Sequence, residues 1–220
     1  MKLIVGLGNP GDIYAGSRHN IGFSLIKALA KSHKILLKND RAAFSLSGKG
    51  QIESQNIILA MPLTFMNLSG EAVKSLLKRH RILADDLLVV CDDLDLEFGR
   101  LKIRPGGSSG GHRGLESVIG SLNNTKFARL RIGIGRPLQS RNSAEYVLGN
   151  FTREEKKEIK QIIGRASECC LVWLKRGVTE AMNIFNGIGK YKILSSTTRK
   201  SQKVIVESDF LVKKFERGSE

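Results

Sequence analysis

The chain has 220 residues, a net charge of +15 and a pI near 10.0, and 41% of its residues are hydrophobic. That length suits one large domain, and no apolar run approaches the roughly 18 residues that span a bilayer. The apolar stretch at the N-terminus is too short for a signal peptide, and three cysteines without a CxxC spacing argue against a disulfide framework. We therefore expect a cytoplasmic protein.

Apolar runs bounded by turn residues alternate with stretches of helical periodicity, which predicts an α/β fold. Strands are predicted at 2–7, 34–38, 42–49, 55–61, 87–91, 100–104 and 127–134. Helices are predicted from Ile21, around Ala72, after a glycine-rich loop at 106–114, and over 152–175. Thr152 and Glu155 have the spacing of a capping box at the start of the last helix.

The domain is predicted to end near residue 186, and 187–220 forms a basic, loosely ordered extension. The extension has eight basic and four acidic residues, so it contributes +4 and leaves +11 on residues 1–186. Such an excess favours a polyanionic partner, most often nucleic acid, although a surplus of solubilising charge is the open alternative. Aromatic residues make up only 6%, which favours phosphate contacts over base stacking.

The first loop, Gly6-Leu7-Gly8-Asn9-Pro10-Gly11, matches GxGxxG after a predicted strand. In a dinucleotide-binding fold the third glycine belongs inside the following helix, whereas Pro10-Gly11 here is a turn signal. A nucleotide-dependent enzyme is therefore a weak rival interpretation.

A histidine and an acidic run are two separate candidates for acid–base chemistry. His19 lies just before the first helix, where a capping or buried histidine is the ordinary alternative. Asp92-Asp93-Leu94-Asp95 follows a buried strand, and α/β folds build sites at the carboxyl ends of strands. A carboxylate here could hold an imidazole in one tautomer. A divalent metal held with Glu97 and a solvated acidic turn remain alternatives, but the spacing of a calcium loop is missing.

Two strands have basic stripes with a period of two: Arg100, Lys102 and Arg104 on one, and Arg129 and Arg131 on the other. If the strands are neighbours, five cations lie on one face of the sheet. That face would be either a binding site for phosphates or an ordinary solvated edge of the sheet. The glycine-rich loop that follows permits close backbone approach to a ligand.

Taken in order, several segments resemble the bacterial peptidyl-tRNA hydrolase family over about residues 1–186. They are Gly6–Gly11, Tyr14, Arg18–Gly22, Pro62–Gly70, Asp92–Asp95, Gly106–Gly114 and Arg129–Gly135. The resemblance implies a single monomeric αβα domain with a central mixed, twisted sheet, a peptidyl-tRNA substrate, no metal, no cofactor and no membrane partner.

The resemblance also implies residue roles. His19 is similar to the general base and Asp92 to the carboxylate that orients it. Asn9, Tyr14, Phe65, Asn67 and Arg113 fall at substrate-binding positions. Lys102, Arg104 and Arg131 fall where tRNA phosphates are bound, and the segment around 137–150 resembles a mobile lid.

One position departs from the family, because Arg113 stands where an asparagine commonly follows the histidine of the glycine loop. An RNA-binding module on the same fold, without turnover, is the alternative to an ester hydrolase.

Overall fold

The structure is a computed structural model that describes residues 1–136 and 142–187. Its strands are β1 (Lys2–Gly6), β2 (Lys38–Asp40), β3 (Ser45–Ile52), β4 (Gln55–Pro62), β5 (Leu87–Asp93), β6 (Leu101–Arg104) and β7 (Ala128–Gly133). Its α-helices are α1 (Ile21–Ser32), α2 (Ser69–His80), α3 (Arg113–Leu122), α4 (Ser143–Leu148) and α5 (Arg153–Phe185).

The seven strands form one mixed sheet in the order β2-β3-β4-β1-β5-β7-β6. The central strands β4, β1, β5 and β7 are parallel, whereas β2, β3 and β6 add antiparallel edges. Alternate residues of β1 enter two cores: Ile4 packs with α1 and α5, and Leu3 and Val5 pack with α2 and α3. The prediction of a single α/β domain with helices on both faces of a mixed sheet is confirmed.

The first glycine of the N-terminal loop allows close helix–strand packing. A Cβ on Gly6 would lie 2.2 Å from the carbonyl oxygen of Gly22 in α1. Gly11 lies in a loop before the 3₁₀ turn Asp12–Tyr14, and α1 begins only at Ile21. The loop therefore lacks the helix N-terminus that would receive a pyrophosphate, and this removes the basis of the nucleotide-dependent interpretation.

The outer strands differ from their predicted bounds. The strand predicted at 34–38 lies instead at Lys38–Asp40 and shares only one residue with the prediction, and the next strand begins at Ser45 rather than at 42. The reason is local: the Asp40 carboxylate accepts a hydrogen bond from the Ala43 amide at 3.2 Å, closing a 3₁₀ turn, and Phe44 takes a left-handed conformation (φ 47°).

The last helix begins as predicted, with both hydrogen bonds of the Thr152–Glu155 capping box, and it continues past residue 175 to Phe185. An interruption at Gly177 (φ 82°) divides it. No helix among the described residues is long and apolar enough to cross a membrane. The predicted basic extension lies outside the described residues, apart from Gly187.

Candidate active site

A cleft of about 470 Å³ opens at the carboxyl edge of the parallel strands. The loop after β1 contributes Asn9 and His19, and the loop after β4 contributes Phe65 and Asn67. Asp92 lies in the sheet edge itself, at the carboxyl end of β5. These side chains meet because parallel strands deliver their following loops to the same edge of a sheet. The sequence analysis expected a site at the acidic run that follows residue 91, and the structure places Asp92, Asp93 and Asp95 in the lining of this cleft.

His19 lies in the 3₁₀ turn Arg18–Asn20 and is 9% exposed. Its Nδ1 donates a hydrogen bond to Oδ1 of Asp92 at 2.8 Å, since an ionised carboxylate can only accept. This bond places the proton on Nδ1 and leaves Nε2 with its lone pair. Nε2 has no hydrogen-bond partner among the described residues, so it is the nitrogen that can accept a proton in the cleft.

A second imidazole shares the same carboxylate oxygen. Nε2 of His112 lies 3.0 Å from Oδ1 of Asp92, and the two imidazole rings are 5.0 Å apart. Nδ1 of His112 accepts hydrogen bonds from the amides of Gly114 and Leu115, at 3.1 and 3.2 Å, and caps α3. Since Nδ1 accepts, the proton is on Nε2, which donates a hydrogen bond to the Asp92 carboxylate. Both nitrogens of His112 are therefore engaged, unlike those of His19.

The Asp92 side chain is almost fully buried, at 3% exposure. Burial alone would raise the pKa of Asp92, but its interactions with His112 and then with His19, including the hydrogen bonds that both rings donate, outweigh burial and hold that pKa well below its usual range. The carboxylate is therefore ionised throughout the neutral range, and it can stabilise a positive charge on His19.

His19, Asp92 and His112 present ligand atoms within 4.8 Å of one another, close enough to surround a metal ion. A metal needs a lone pair on each imidazole nitrogen that binds it. The two backbone amides on Nδ1 of His112 fix the proton on Nε2, the nitrogen that points at the cluster. The donor set therefore suits a hydrogen-bonded carboxylate better than a metal centre.

Amide groups line the cleft beside His19. Oδ1 of Asn9 accepts a hydrogen bond from the Met66 amide at 2.8 Å, and the Asn9 backbone is held from both sides by the Asn20 side chain. The Nδ2 group of Asn9 is thereby oriented and left without a partner among the described residues. Asn67 is exposed on the 3₁₀ turn Met66–Leu68, next to Phe65, which is 59% exposed.

Asp93 faces a different partner from Asp92. Its Oδ2 lies 2.7 Å from Nε of Arg131, and its Oδ1 accepts from the Asp95 amide. Arg131 lines the cleft and lies under the glycine loop, where a Cβ on Gly110 (φ 58°) would meet its guanidinium. The Asp93–Arg131 pair thus connects the cleft to the face of β7 that has the basic stripe.

The two basic stripes do lie on neighbouring strands, since β6 pairs with β7 and Lys102 lies opposite Arg131. The expected set of five solvent-facing cations is nevertheless too large. Arg129 is 2% exposed, its guanidinium donates to the carbonyls of Gly107, Ser108 and Thr125, and burial lowers its pKa. Arg129 anchors the glycine loop rather than presenting a charge to solvent.

Lys102, Arg104 and Arg131, which we call the cationic strip, keep accessible side chains. The strip continues from the cleft wall at Arg131 to the outer strand β6. Tyr14 is half-buried in its 3₁₀ turn and does not line the cleft, whereas Arg113 does. Arg113 is exposed as the first residue of α3, with no hydrogen bond or ion pair to any described residue.

Arg18, the neighbour of His19, is a buried connection between distant segments. It pairs with Glu155 at 2.7 Å, donates to the Asn150 carbonyl at 2.7 Å, and stacks over the Tyr146 ring at 4.3 Å. It thereby fixes α4 and the start of α5 to the turn that contains His19. Within the predicted lid, α4 lines the cleft, and residues 137–141 lie outside the described residues.

Sequence reasoning named most of these residues but missed His112 and Arg18 as parts of the site. For His112 the available signal was its position directly before a predicted helix and next to glycines. For Arg18 it was a charged residue beside a candidate base, which sequence alone does not distinguish from a surface cation.

The fold and the imidazole–carboxylate cleft define the class of the protein, an α/β enzyme equipped for proton transfer. Known proteins then identify the family: the family model described as peptidyl-tRNA hydrolase matches residues 3–194. The peptidyl-tRNA hydrolase of Dehalococcoides mccartyi (strain CBDB1) is 47% identical over 189 residues, covering 84% of this chain and all of the relative. That of Chloroflexus aurantiacus (strain ATCC 29366 / DSM 635 / J-10-fl) is 46% identical, covering 84% of this chain and 99% of the relative.

A crystal structure of peptidyl-tRNA hydrolase from Acinetobacter baumannii superimposes with a TM-score of 0.80 at 38% identity, covering 84% of this chain and 94% of that one. This chain belongs to the peptidyl-tRNA hydrolase family. The resemblance inferred from the ordered motifs is confirmed.

Proposed function

We propose that this protein hydrolyses the ester bond that joins a peptide to the terminal ribose of tRNA, releasing the peptide and reusable tRNA. The observation that carries the proposal is the His19–Asp92 pair, with Nδ1 bound to a buried carboxylate and Nε2 available in an open cleft. Family membership supplies the substrate class, and the net charge of +15 suits a polyanionic substrate.

In the proposed reaction, His19 Nε2 removes a proton from a water molecule as the water oxygen attacks the ester carbonyl. Asp92 stabilises the imidazolium that forms. The carbon–oxygen bond to the ribose then breaks, and the proton passes from His19 to the leaving ribose oxygen. A positioned base of this kind contributes about 10²–10⁴-fold to the rate.

The amides supply the second part of the mechanism. Asn9 Nδ2 is oriented by the Met66 amide bond to Oδ1, and it is available to donate to the substrate. Asn67 lines the same cleft and holds the peptide or the ester carbonyl. Preorganised donors that meet a developing oxyanion each contribute roughly 10²–10³-fold.

The cationic strip binds the phosphates of the acceptor end, because Arg131 opens on the cleft and Lys102 and Arg104 lead away from it. Substituting both Lys102 and Arg104 with Ala should raise KM for full-length substrate and lower the slope of log affinity against log salt by about two. A short CCA-ended fragment lacks most phosphates and should be hydrolysed normally. Equal losses on both substrates would contradict an electrostatic role.

A single-turnover assay with N-blocked aminoacyl-tRNA tests the proposed function. Wild-type protein should release the N-blocked amino acid and deacylated tRNA, and His19→Ala should bind the same substrate without releasing them. Tight binding without turnover by the wild-type protein would establish the rival function, an RNA-binding module on this fold.

The remaining expectations accompany the proposed substrate. A cytoplasmic location is proposed because that is where peptidyl-tRNA arises. The protein acts as a monomer and without a metal ion, which activity after exhaustive chelation and light scattering of the active enzyme would test.

A further inference from the structure

A second cavity, of about 720 Å³, lies at the β2–β3 edge of the sheet, away from the cleft. Its floor is formed by Ser47, Gly48 and Ile58, and its walls by the turn after β2 and the C-terminal end of α2. Lys38 pairs with Ser47, and Lys49 pairs with Ile58, which belongs to the core under α2. Paired residues point to the same face of a sheet, so both lysines lie on the α2 face. We call this cavity the edge pocket.

The charged side chains of the edge pocket are unbalanced. Four permanent cations and one carboxylate line it, together with a half-buried histidine: Lys38, Arg41, Lys49, Arg79, Asp40 and His80. The single carboxylate is already committed, because Asp40 Oδ1 pairs with Arg79 at 2.6 Å and caps the 3₁₀ turn. Lys38, Arg41 and Lys49 are exposed and have no ion pair with a described residue.

The pKa of His80 reflects the positive potential in the edge pocket. Burial and the charges of Lys49 and Arg79 lower the pKa of His80, and only Asp40 opposes them. An anion bound among these cations would favour the charged imidazole and reverse that shift.

The chemistry of the lining indicates the ligand. No Phe, Tyr or Trp is among the described residues that line the edge pocket, so it offers cations without a surface for stacking bases. We propose that the edge pocket is a second RNA-binding site, which takes phosphodiester groups and does not read bases. The proposal of a second RNA-binding site rests on the proposed function in one respect, namely that RNA is the polyanion to which the protein binds.

The edge pocket is separate from the cationic strip. Both lie on the α2–α3 face of the sheet, but the pocket is on β2 and β3 and the strip reaches β6, at opposite ends of the strand order. At about 4.8 Å per strand, the outermost strands are roughly 29 Å apart. The two sites therefore hold different stretches of RNA backbone. These stretches belong either to remote parts of one tRNA or to two RNA molecules.

The experiment uses full-length protein and deacylated tRNA, so it needs no turnover. The test variant is Arg41→Gln/Lys49→Gln, which removes two exposed cations. The matched control is Lys27→Gln/Lys31→Gln, which removes two exposed cations from α1 on the opposite face of the sheet. Affinity is measured against salt concentration. The test variant should lose about two units of salt slope, and the control should keep the wild-type slope. Equal slopes in the two variants would overturn the proposal.

Titration of the His80 ring by NMR gives a local readout, with the protein free of RNA as the reference. Saturating tRNA should raise the pKa of His80 by about one unit. A CCA-ended acceptor fragment that produces the same rise would show a separate RNA contact, and a rise only with full-length tRNA would show a remote part of the same molecule. The assignment to RNA would be overturned if His80 responds to neither RNA, or if it responds to inorganic phosphate alone.

Discussion

The 3₁₀ turn Arg18–Asn20 and the glycine-rich loop before α3 each bring an imidazole to Oδ1 of Asp92. In the turn, His19 binds the carboxylate through one nitrogen and keeps the other free. In the loop, His112 uses its second nitrogen to cap a helix. The contrast teaches that the partner of the second nitrogen decides which of two neighbouring histidines can act as a base.

The sharpest way to test this contrast is His19→Ala. It should lower kcat by about 10²–10⁴-fold, because it removes the only imidazole nitrogen of the pair that can accept a proton. The thermal unfolding midpoint checks that the variant is folded. Activity within a few-fold of wild type would exclude His19 as the base, and His112 would then have to be tested for that role.

The shared carboxylate should matter next. Asp92→Asn should lower kcat by roughly 10²-fold, less than His19→Ala, because the base remains while its orientation and charge stabilisation are disturbed. Asp93→Asn is the matched control, since Asp93 pairs with Arg131 rather than with an imidazole. A larger loss of kcat in the Asp93 variant would show that Asp93, and not Asp92, is the carboxylate that supports the base.

Asp92 also predicts a pH dependence of stability. Its folded-state pKa is lowered, so its contribution to folding is complete above the unfolded value of about 3.9 and is lost as pH falls through the folded value. The difference in the free energy of unfolding between wild type and Asp92→Asn should therefore be constant at neutral pH and shrink below about pH 4. Denaturant titrations between pH 3 and 7 measure it.

Two variants of His112 separate its contacts. His112→Ala should lower stability by about 1–2 kcal/mol because two helix amides lose their cap, and kcat should fall about tenfold with the lost bond to Asp92. His112→Asn can cap α3 but is too short to reach Asp92, so stability should recover while kcat stays low. Recovery of both would mean that the bond to Asp92 has no role in turnover.

The smallest effect is expected at the end of the same loop. Arg113 has donors only, so it can bind a carbonyl or phosphate oxygen but cannot accept a hydrogen bond from the attacking water. Arg113→Ala should raise KM more than it lowers kcat, and Arg113→Asn should be tolerated. Steady-state kinetics decide the point, and a collapse of kcat at constant KM in both variants would place Arg113 in the transition state.

The sequence predicted the central strands well, because β1 and β5 are apolar on both faces and leave little choice of structure. The position of Asp92 at the carboxyl end of a buried strand indicated a site, and the family resemblance supplied its pairing with His19. The sequence could not predict the second imidazole, since His112 reaches Asp92 only after the glycine loop has crossed the face of β7.

Arg129 shows the same limit. Its alternation with Leu130 predicts a cation on the polar face of a strand, which is where the residue lies. The glycine loop then covers that face, and its carbonyls take up the guanidinium. A period of two assigns a residue to a face of a sheet, but it contains no information on what packs over that face.

The buried Arg18 has a consequence for heat inactivation. Its guanidinium joins the histidine turn to Tyr146 in α4 and to Glu155 in the first turn of α5. These segments should therefore open as one cooperative unit, with a common opening free energy in amide hydrogen exchange. Fraying of the first turn of α5 on warming would release the turn that holds His19 against Asp92. The enzyme should then lose activity reversibly at temperatures where its central sheet is still intact.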